Sequence, residues 1–300
     1  MSHPQLTVQS HPQHQSVIRL SENVTVGDRE ILIIAGPCAV ESLEQMEQIA
    51  NYLAPTSIQA LRGGVFKPRT SPYSFQGLGL EGLEILARVR RQFGMPIVTE
   101  VMSIAQIEPI ATYADVLQVG SRNMQNFDLL KALGQAGKPI LLKRGLAATL
   151  EEFLGAAEYI LSHGNPDVIL CERGIRSFDP HTRNVLDLGT VVALKHLTHL
   201  PVIVDPSHAA GKRELVPALA RAAIACGADG LIIECHPEPD QSVSDARQAL
   251  SLEDMVNLVR SLEPIAAAVG REIMVRQKTS YPLPEVASPK FSYHEMPVLS

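Results

Sequence analysis

The chain lacks tryptophan, and aromatic residues make up only 4% of its 300 residues. Proteins that bind single-stranded nucleic acids stack bases on aromatic side chains, and nucleic-acid-binding surfaces are basic. This chain has 26 Lys and Arg against 32 Asp and Glu, which gives a formal net charge of -6. The composition therefore argues against a nucleic-acid-binding protein.

Cysteine is scarce, and long apolar runs are missing. The four cysteines are never spaced as C-x-x-C, so the sequence offers no zinc knuckle. No apolar run approaches the ~20 residues that span a membrane, and the polar first twenty residues contain no apolar signal-peptide core. We therefore expect a cytoplasmic protein with no membrane partner, whose cysteines are reduced thiols.

From residue 31 onwards the sequence alternates between two kinds of segment. Short apolar segments are typical of strands buried on both faces, and longer segments with helical periodicity follow them. The predicted strands are 31–35, 58–61, 97–99, 116–119, 140–142, 168–170, 202–204 and 230–233. The predicted helices are 43–53, 80–93, 104–112, 126–136, 150–163, 186–197, 215–226 and 252–259.

Eight strand–helix units in about 235 residues match the size of a (β/α)8 TIM barrel. The rival α/β architecture, an open doubly wound sheet, would carry a glycine-rich dinucleotide motif after its first strand, and none is present. We therefore predict a polar leader with a β-hairpin in residues 1–30, a catalytic barrel in residues 31–270 and an irregular C-terminal tail in residues 271–300. The hairpin, at residues 16–26, should close the floor of the barrel.

The residues that follow the strands of such a barrel share one rim and build its active site. Here cations follow four of the predicted strands: Arg62, Lys67, Arg69, Arg122, Lys143, Arg144, Arg173 and Arg176. Glycines and prolines give the segment 62–72 a stiff, shaped backbone. Taken alone, that segment is equally typical of a basic surface loop. The clustering of cations after buried strands instead favours a pocket for more than one phosphate or carboxylate group.

A second set of rim residues suits a metal ion. Its members are Cys38, His208, Glu234 and Asp245. One sulfur, one nitrogen and carboxylate oxygens favour a divalent transition ion such as manganese, iron, cobalt or zinc. Each residue has an ordinary alternative, because a lone cysteine usually packs in a core and a lone carboxylate is usually solvated. Their common position at strand ends favours the metal site.

Seven motifs spread over residues 31–262 carry a family resemblance. They are Gly36-Pro37-Cys38-Ala39-Val40-Glu41-Ser42, the segment 62–77, Gly120-Ser121-Arg122-Asn123-Met124, Leu142-Lys143-Arg144-Gly145, Cys171-Glu172-Arg173-Gly174-Ile175-Arg176, Asp205-Pro206-Ser207-His208-Ala209 and Glu234-Cys235-His236-Pro237. Together they resemble the type I 3-deoxy-D-arabino-heptulosonate 7-phosphate (DAHP) synthases, in the branch that also contains the 3-deoxy-D-manno-octulosonate 8-phosphate synthases.

The resemblance implies a metal-dependent, aldol-like condensation. Phosphoenolpyruvate, erythrose 4-phosphate and water would give DAHP and inorganic phosphate, in the first step of the shikimate pathway that leads to the aromatic amino acids. It also implies a homo-oligomer, either a dimer or a tetramer. Because few residues precede the first strand, we expect no regulatory domain or fused chorismate mutase of the kind that some relatives carry, and no feedback inhibition through such a domain.

The resemblance further implies a role for each rim residue. The metal ligands would be Cys38, His208, Glu234 and Asp245. Phosphoenolpyruvate would be held by Arg62 and Lys67 at its carboxylate, and by Ser121, Arg122, Lys143 and Arg173 at its phosphate. The phosphate of the sugar would contact Arg69, Thr70 and Ser71. The hydroxyl groups of the sugar would contact Asp205. The catalytic residues would be Lys67, Lys143 and His208, and the proton of the attacking water could pass to Lys143 or to a metal-bound hydroxide.

Two other functions stay open at this point. The octulosonate enzymes, which use arabinose 5-phosphate, resemble the chain at most rim motifs. They carry a Lys-Ala-Asn-Arg-Ser-like loop where this chain has Lys67-Pro68-Arg69-Thr70-Ser71, and that difference favours the four-carbon aldehyde. The other alternative is a barrel that binds phosphorylated metabolites without catalysis, against which the intact metal set argues.

Overall fold

A computed structural model of the chain describes residues 5–68, 71 and 73–273. An antiparallel hairpin of β1 (Ile18–Ser21) and β2 (Val24–Val26) precedes eight parallel strands, and pairing of the last strand with the first closes them into a barrel. The barrel strands are β3 (Leu32–Gly36), β4 (Ala60–Arg62), β5 (Ile97–Val101), β6 (Val116–Val119), β7 (Ile140–Lys143), β8 (Val168–Glu172), β9 (Val202–Val204) and β10 (Gly230–Glu234). The predicted TIM barrel is confirmed.

Helices connect the strands on the outside of the barrel. They are α1 (Leu43–Leu53), α2 (Leu80–Phe93), α3 (Ile107–Tyr113), α4 (Phe127–Leu133), α5 (Leu150–Ser162), α6 (Leu188–Leu197), α7 (Pro206–Ala210), α8 (Val216–Ala225) and α9 (Leu252–Ala268). Sequence patterns missed α7, because one turn is too short to show periodicity. They also ended α9 at residue 259, whereas the helix continues through Pro264. In the described part of the chain, no helix is both long and apolar enough to cross a membrane.

The barrel strands separate two apolar layers. Outward-facing residues pack against the helices, while inward-facing residues such as Leu32 and Ile232 form a second cluster inside the barrel. Ile18 and Val26 of the hairpin belong to that inner cluster and are at most 1% exposed. Burying each such side chain contributes about 1.5–3 kcal/mol. The hairpin therefore closes the N-terminal floor of the barrel, as predicted. The polar residues of the barrel interior lie at the opposite, C-terminal end of the strands.

The N-terminal leader is tied to the outer face of the barrel. The Glu158 carboxylate on α5 accepts hydrogen bonds from three consecutive backbone N–H groups, those of Gln5, Leu6 and Thr7, at 2.9, 2.8 and 3.0 Å. Burial raises the pKa of Glu158, but these hydrogen bonds lower it by more, so this pKa lies below its ordinary value. The ionised carboxylate is therefore the form that fastens the leader.

Glu158→Gln is expected to loosen residues 5–7 at neutral pH. A carboxyl group whose pKa is lowered by folding stabilises the folded state at pH values above its ordinary pKa. This stabilisation is lost as the pH falls through the lowered pKa. Amide hydrogen exchange at residues 5–7 should be faster in the variant at pH 7, and the wild type should approach the variant below about pH 4. Glu151→Gln, on the same helix, is the matched control and should change nothing. Equal exchange in the wild type and Glu158→Gln would contradict the expectation.

Candidate functional site

At the C-terminal end of the barrel, the last inward-facing residue of most strands is polar. Side chains alternate along a strand, so the apolar inner layer gives way to a polar one at this level. The residues concerned are Arg62 on β4, Glu100 on β5, Gln118 on β6, Lys143 on β7, Asp205 after β9 and Glu234 on β10. Five of these six residues belong to the strands, and β4, β5, β7 and β10 run one or two residues further than predicted.

The predicted metal set comes together at this rim. The ligand atoms of Cys38, His208, Glu234 and Asp245 all lie within 4.8 Å of one another. The Nε2 atom of His208 is 3.2 Å from Glu234 Oε1 and 3.8 Å from Asp245 Oδ2. The Sγ atom of Cys38 is 3.2 Å from Asp245 Oδ2. Four chain segments, from the β3 end, α7, the β10 end and the following loop, thus converge on one point.

This cluster fits a divalent transition ion on two observations. The buried Oε1 atom of Glu234 has no hydrogen-bond partner, although it forms an ion pair with Arg62 at 3.2 Å, so it keeps lone pairs that a metal ion can use. Asp245 has a φ of 56°, the only positive φ of a non-glycine residue in the described part of the chain. Strained backbone of this kind persists where the surrounding structure demands it, often at functional sites. The donor set of one sulfur, one nitrogen and carboxylate oxygens suits such an ion.

Protonation of the ligand groups follows from their surroundings. Burial, reinforced by Glu234, raises the pKa of the Cys38 thiol to about 12, against the opposing charge of Lys67. Burial lowers the pKa of His208, and the negative charges of Asp205 and Glu234, which raise it, only partly offset this effect. Burial raises the pKa of Asp245, but the charges of His208 and Arg183 lower it by more, to about 2. At neutral pH the imidazole is thus neutral and Asp245 ionised, and a bound cation would replace the proton of Cys38.

Asp205 lies beneath the metal set and is fully buried. Its Oδ1 atom accepts from the backbone N–H of His208 at 2.9 Å, and its Oδ2 atom lies 2.7 Å from His208 Nδ1 and also accepts from Lys143 Nζ. Burial raises the pKa of Asp205, but the charge that His208 carries when it is protonated, the charge of Lys143 and the hydrogen bond from His208 together hold this pKa well below its ordinary value. This bonding places the proton of His208 on Nδ1 and turns Nε2 towards the metal set. Contact with sugar hydroxyls was expected of Asp205, but its carboxylate does not line the cavity.

A cavity of about 540 Å³ opens beside the metal set. Of the residues predicted to bind substrates, those that line it are Arg62, Lys67, Ser71, Ser121, Arg122, Lys143 and Arg173. Arg176, one of the cations that predicted an anion pocket, also lines it, as does Arg183, to which the sequence assigned no role. Arg69 and Thr70 lie outside the described residues. Cations dominate the charged lining, which favours an anionic occupant.

Two buried arginines have donors without partners. Arg62 is 4% exposed and Arg173 6% exposed, yet Nε and Nη1 of Arg62 and Nη1 of Arg173 make no hydrogen bond. The Nη2 atom of Arg62 is 3.2 Å from Glu234 Oε1, an ion pair whose geometry is not that of a hydrogen bond. A buried charged donor without a partner costs ~1–3 kcal/mol or more. These donors are therefore positioned for an anion that enters the cavity.

Lys67 connects the cavity with the metal set. Its Nζ atom donates to the carbonyl oxygen of Cys38 at 2.8 Å and lies 3.0 Å from Cys38 Sγ. The side chain is buried while still lining the cavity. Lys67 can therefore reach both a metal ligand and a bound substrate.

Arg144 does not belong to the anion pocket, although its position after the fifth barrel strand suggested it. It points away from the barrel axis, where Nη1 bonds Glu172 Oε2 at 2.9 Å, Asp187 Oδ2 at 3.1 Å and Thr190 Oγ1 at 3.1 Å. The alternation of side chains after the inward-facing Lys143 could have revealed this direction. Arg144 fixes the loop between β8 and α6 instead.

Sequence patterns missed two residues that contact the metal set, Arg183 and Gln248. Arg183 Nη1 donates to Asp245 Oδ1 at 3.0 Å, and Gln248 Nε2 donates to Glu234 Oε2 at 2.7 Å. Both lie in long loops, away from the strand ends at which functional residues were sought. No periodicity or motif spacing marks them.

Comparison with known proteins adds independent information. A model of the DAHP synthetase I family matches residues 13–269. The phospho-2-dehydro-3-deoxyheptonate aldolase of Thermotoga maritima is 49% identical over 263 residues, which cover 88% of this chain and 77% of the relative. The 2-dehydro-3-deoxyphosphooctonate aldolase of Syntrophotalea carbinolica is 34% identical, over 81% of this chain and 93% of the relative. The crystal structure of the DAHP synthase from Thermotoga maritima matches with a TM-score of 0.85 at 46% identity, over 89% of this chain and 78% of that one.

Proposed function

The chain belongs to the DAHP synthetase I family, and we propose that it condenses phosphoenolpyruvate with erythrose 4-phosphate and water to give DAHP and inorganic phosphate. This is the first step of the shikimate pathway. The observation that supports it best is the pair of buried arginines, Arg62 and Arg173, whose free donors face a cavity beside a metal-binding cluster. The higher identity to a heptonate than to an octonate enzyme supports the four-carbon aldehyde.

Phosphoenolpyruvate carries a carboxylate and a phosphate, and the cavity offers a group of cations to each. Arg62 and Lys67, on the side of the metal set, hold the carboxylate in this proposal. Arg173 and Lys143 hold the phosphate, together with Arg122 and the backbone of Ser121 at the open side of the cavity. Planar guanidinium groups suit both anions because they can donate two parallel hydrogen bonds.

The divalent ion would be manganese, iron, cobalt or zinc, held by Cys38, His208, Glu234 and Asp245. When bound, such an ion acts as a Lewis acid that polarises the aldehyde carbonyl. Asp205 orients the His208 ring through Nδ1, which makes it a positioning residue in this proposal. Ser71 lines the cavity and would contact the sugar phosphate together with Arg69 and Thr70.

The reaction needs three proton transfers in addition to the new carbon–carbon bond. C3 of phosphoenolpyruvate bonds to the aldehyde carbon and the aldehyde oxygen gains a proton, while water adds to C2 and loses a proton. The bond between C2 and the phosphate oxygen then breaks, and the C2 hydroxyl passes its proton to the leaving phosphate as C2 becomes a ketone. Lys67 Nζ, beside the metal set, is placed to give the first proton. Lys143 Nζ, bonded to Asp205 and exposed to the cavity, is this chain's candidate to exchange the second.

We also propose that the enzyme works in the cytoplasm as a homodimer or homotetramer. Phe127 on α4 and Tyr159 on α5 stack at 4.6 Å between ring centroids, although they are 41% and 38% exposed. A partly exposed aromatic pair of this kind suits contact with a second copy of the chain.

Phosphate release from phosphoenolpyruvate is expected to require both erythrose 4-phosphate and a divalent ion. Treatment with EDTA should stop release, and added manganese or cobalt should restore it. Because one missing contact changes kcat/KM by roughly 10–200-fold, we expect erythrose 4-phosphate to exceed arabinose 5-phosphate by at least ~10-fold. Preference for arabinose 5-phosphate would indicate an octulosonate synthase. No release with either aldehyde, with metal restored, would indicate a binding protein.

A further inference from the structure

Each carboxylate of the metal set turns one oxygen towards the cluster and the other away from it. Glu234 Oε1 lies 3.2 Å from His208 Nε2, whereas Glu234 Oε2 accepts from Gln248 Nε2 at 2.7 Å. Asp245 Oδ2 lies 3.2 Å from Cys38 Sγ, whereas Asp245 Oδ1 accepts from Arg183 Nη1 at 3.0 Å. The outward oxygens are therefore already occupied by protein donors.

Arg183 and Gln248 are joined to each other as well. Nη1 of Arg183 donates to Gln248 Oε1 at 3.0 Å, so one chain of hydrogen bonds runs from Asp245 through Arg183 and Gln248 to Glu234. Gln248 is 2% exposed. Its carbonyl end faces the guanidinium and its amide end the carboxylate, which fixes the orientation of the amide without ambiguity.

Arg183 is held in place by the backbone around α7. Its N–H donates to the carbonyl oxygen of Ala210 at 3.1 Å, and Asn184 Nδ2 donates to the carbonyl oxygen of His208 at 3.0 Å. Gly211, at a φ of 68°, leaves the space that Arg183 fills, because a Cβ there would lie 2.5 Å from Arg183 Cβ. The loop between β8 and α6 thus contacts two of the metal-set residues directly, Asp245 through Arg183 and His208 through Asn184.

We propose that Arg183 and Gln248 are positioning residues that keep Glu234 and Asp245 as one-oxygen ligands of the metal ion. This inference rests on the metal site proposed above. A carboxylate can bring its second oxygen to the ion only by giving up the hydrogen bond from Gln248 or Arg183, and hydrogen bonds to charged groups are stronger than those between neutral groups. Keeping both carboxylates to one oxygen leaves positions on the ion free for a substrate, as catalytic metal sites require.

The test measures cobalt(II) binding and the cobalt spectrum of the full-length protein. Gln248→Met keeps the side-chain volume and removes the hydrogen bonds that Gln248 makes with Glu234 and Arg183. Arg183→Met removes the hydrogen bonds from Arg183 to Asp245 and Gln248. Both variants should bind cobalt roughly 10–100-fold more weakly, and the ligand-field bands should change towards a higher coordination number. The thiolate-to-cobalt band from Cys38 should remain. Because both residues act through one chain of bonds, the double variant should lose less than the sum of the two single losses.

Gln59→Met is the matched control. Gln59 is also a buried glutamine with both ends bonded, to the carbonyl oxygen of Ile31 and the N–H of Ile33, but it lies on the barrel floor. It should lower stability and leave the cobalt spectrum unchanged. If Gln248→Met fails to fold, as circular dichroism would show, the partly exposed Arg183→Met decides.

Wild-type affinity and spectrum in the folded variants would overturn the positioning role. Failure of the wild-type protein to bind cobalt would instead overturn the metal site itself. The two failures are thus distinguishable, and neither depends on measuring turnover.

Discussion

Cys38→Ala is expected to lose divalent-metal binding and, with it, nearly all turnover, while the barrel stays folded. Cys38 supplies the only sulfur of the metal set, and a thiolate is the ligand that a borderline transition ion binds most strongly. Lewis-acid stabilisation by such an ion supplies several kcal/mol, which corresponds to a rate loss of at least ~10³-fold. The measurements are metal content, cobalt affinity and phosphate release.

The substitution itself removes little from the fold. The Sγ atom of Cys38 contacts Lys67 Nζ, Ser244 Oγ and Asp245 Oδ2 at 3.0, 3.1 and 3.2 Å, all of which belong to the rim. Cys235→Ala is the matched control, because Cys235 is equally buried but packs in the outer layer against the helices. It should keep metal and activity. Full metal-dependent turnover in Cys38→Ala would refute the ligand assignment.

Arg62→Lys is expected to weaken the use of phosphoenolpyruvate severely even though it keeps the positive charge. The two partnerless donors of Arg62 sit in a fixed planar fork, and an ammonium group cannot reproduce its paired bonds to a carboxylate. Loss of one or two bonds to charged groups, at about 1.5–3 kcal/mol each, predicts that kcat/KM for phosphoenolpyruvate falls by roughly 10–10⁴-fold. Steady-state kinetics with erythrose 4-phosphate in excess would measure it.

The control for Arg62 is Arg144→Lys. Both arginines are buried, but the Arg144 guanidinium is bonded to protein carboxylates, those of Glu172 and Asp187. This variant should lower the melting temperature and leave the KM for phosphoenolpyruvate unchanged. An unchanged kcat/KM in Arg62→Lys, together with normal folding, would show that Arg62 is a structural partner of Glu234 alone.

Much of the fold was predictable because the barrel strands are buried on both faces. Segment 202–204 is entirely apolar and segment 116–119 is apolar except for Gln118, and their bounds agree with β9 and β6. The four metal-set residues were predictable for a related reason, since the topology of a barrel brings the ends of distant strands together. Side chains alternate along a strand, so Cys235 should face away from its neighbour Glu234, and it does pack in the outer layer among the helices.

The rest depended on side-chain directions that no linear pattern encodes. Asp205 follows a strand like the other rim residues, but its carboxylate turns to His208 and Lys143 rather than into the cavity. Arg183 and Gln248 reach the site from loops whose course is set by contacts with α7 and the segment after β10. Such contacts join residues far apart in sequence, so composition and spacing do not reveal them.

The hairpin under the barrel also has a consequence for kinetics. With Ile18 and Val26 sealing the floor, molecules can enter and leave the interior only past the rim. In the proposed arrangement, phosphoenolpyruvate lies against the inward-facing Arg62 and Lys143, and the sugar phosphate lies nearer Ser71, which is exposed. Because the pocket has a single entrance, we expect ordered binding. Phosphoenolpyruvate, which lies deeper, should bind first, and the aldehyde should bind second and block its exit.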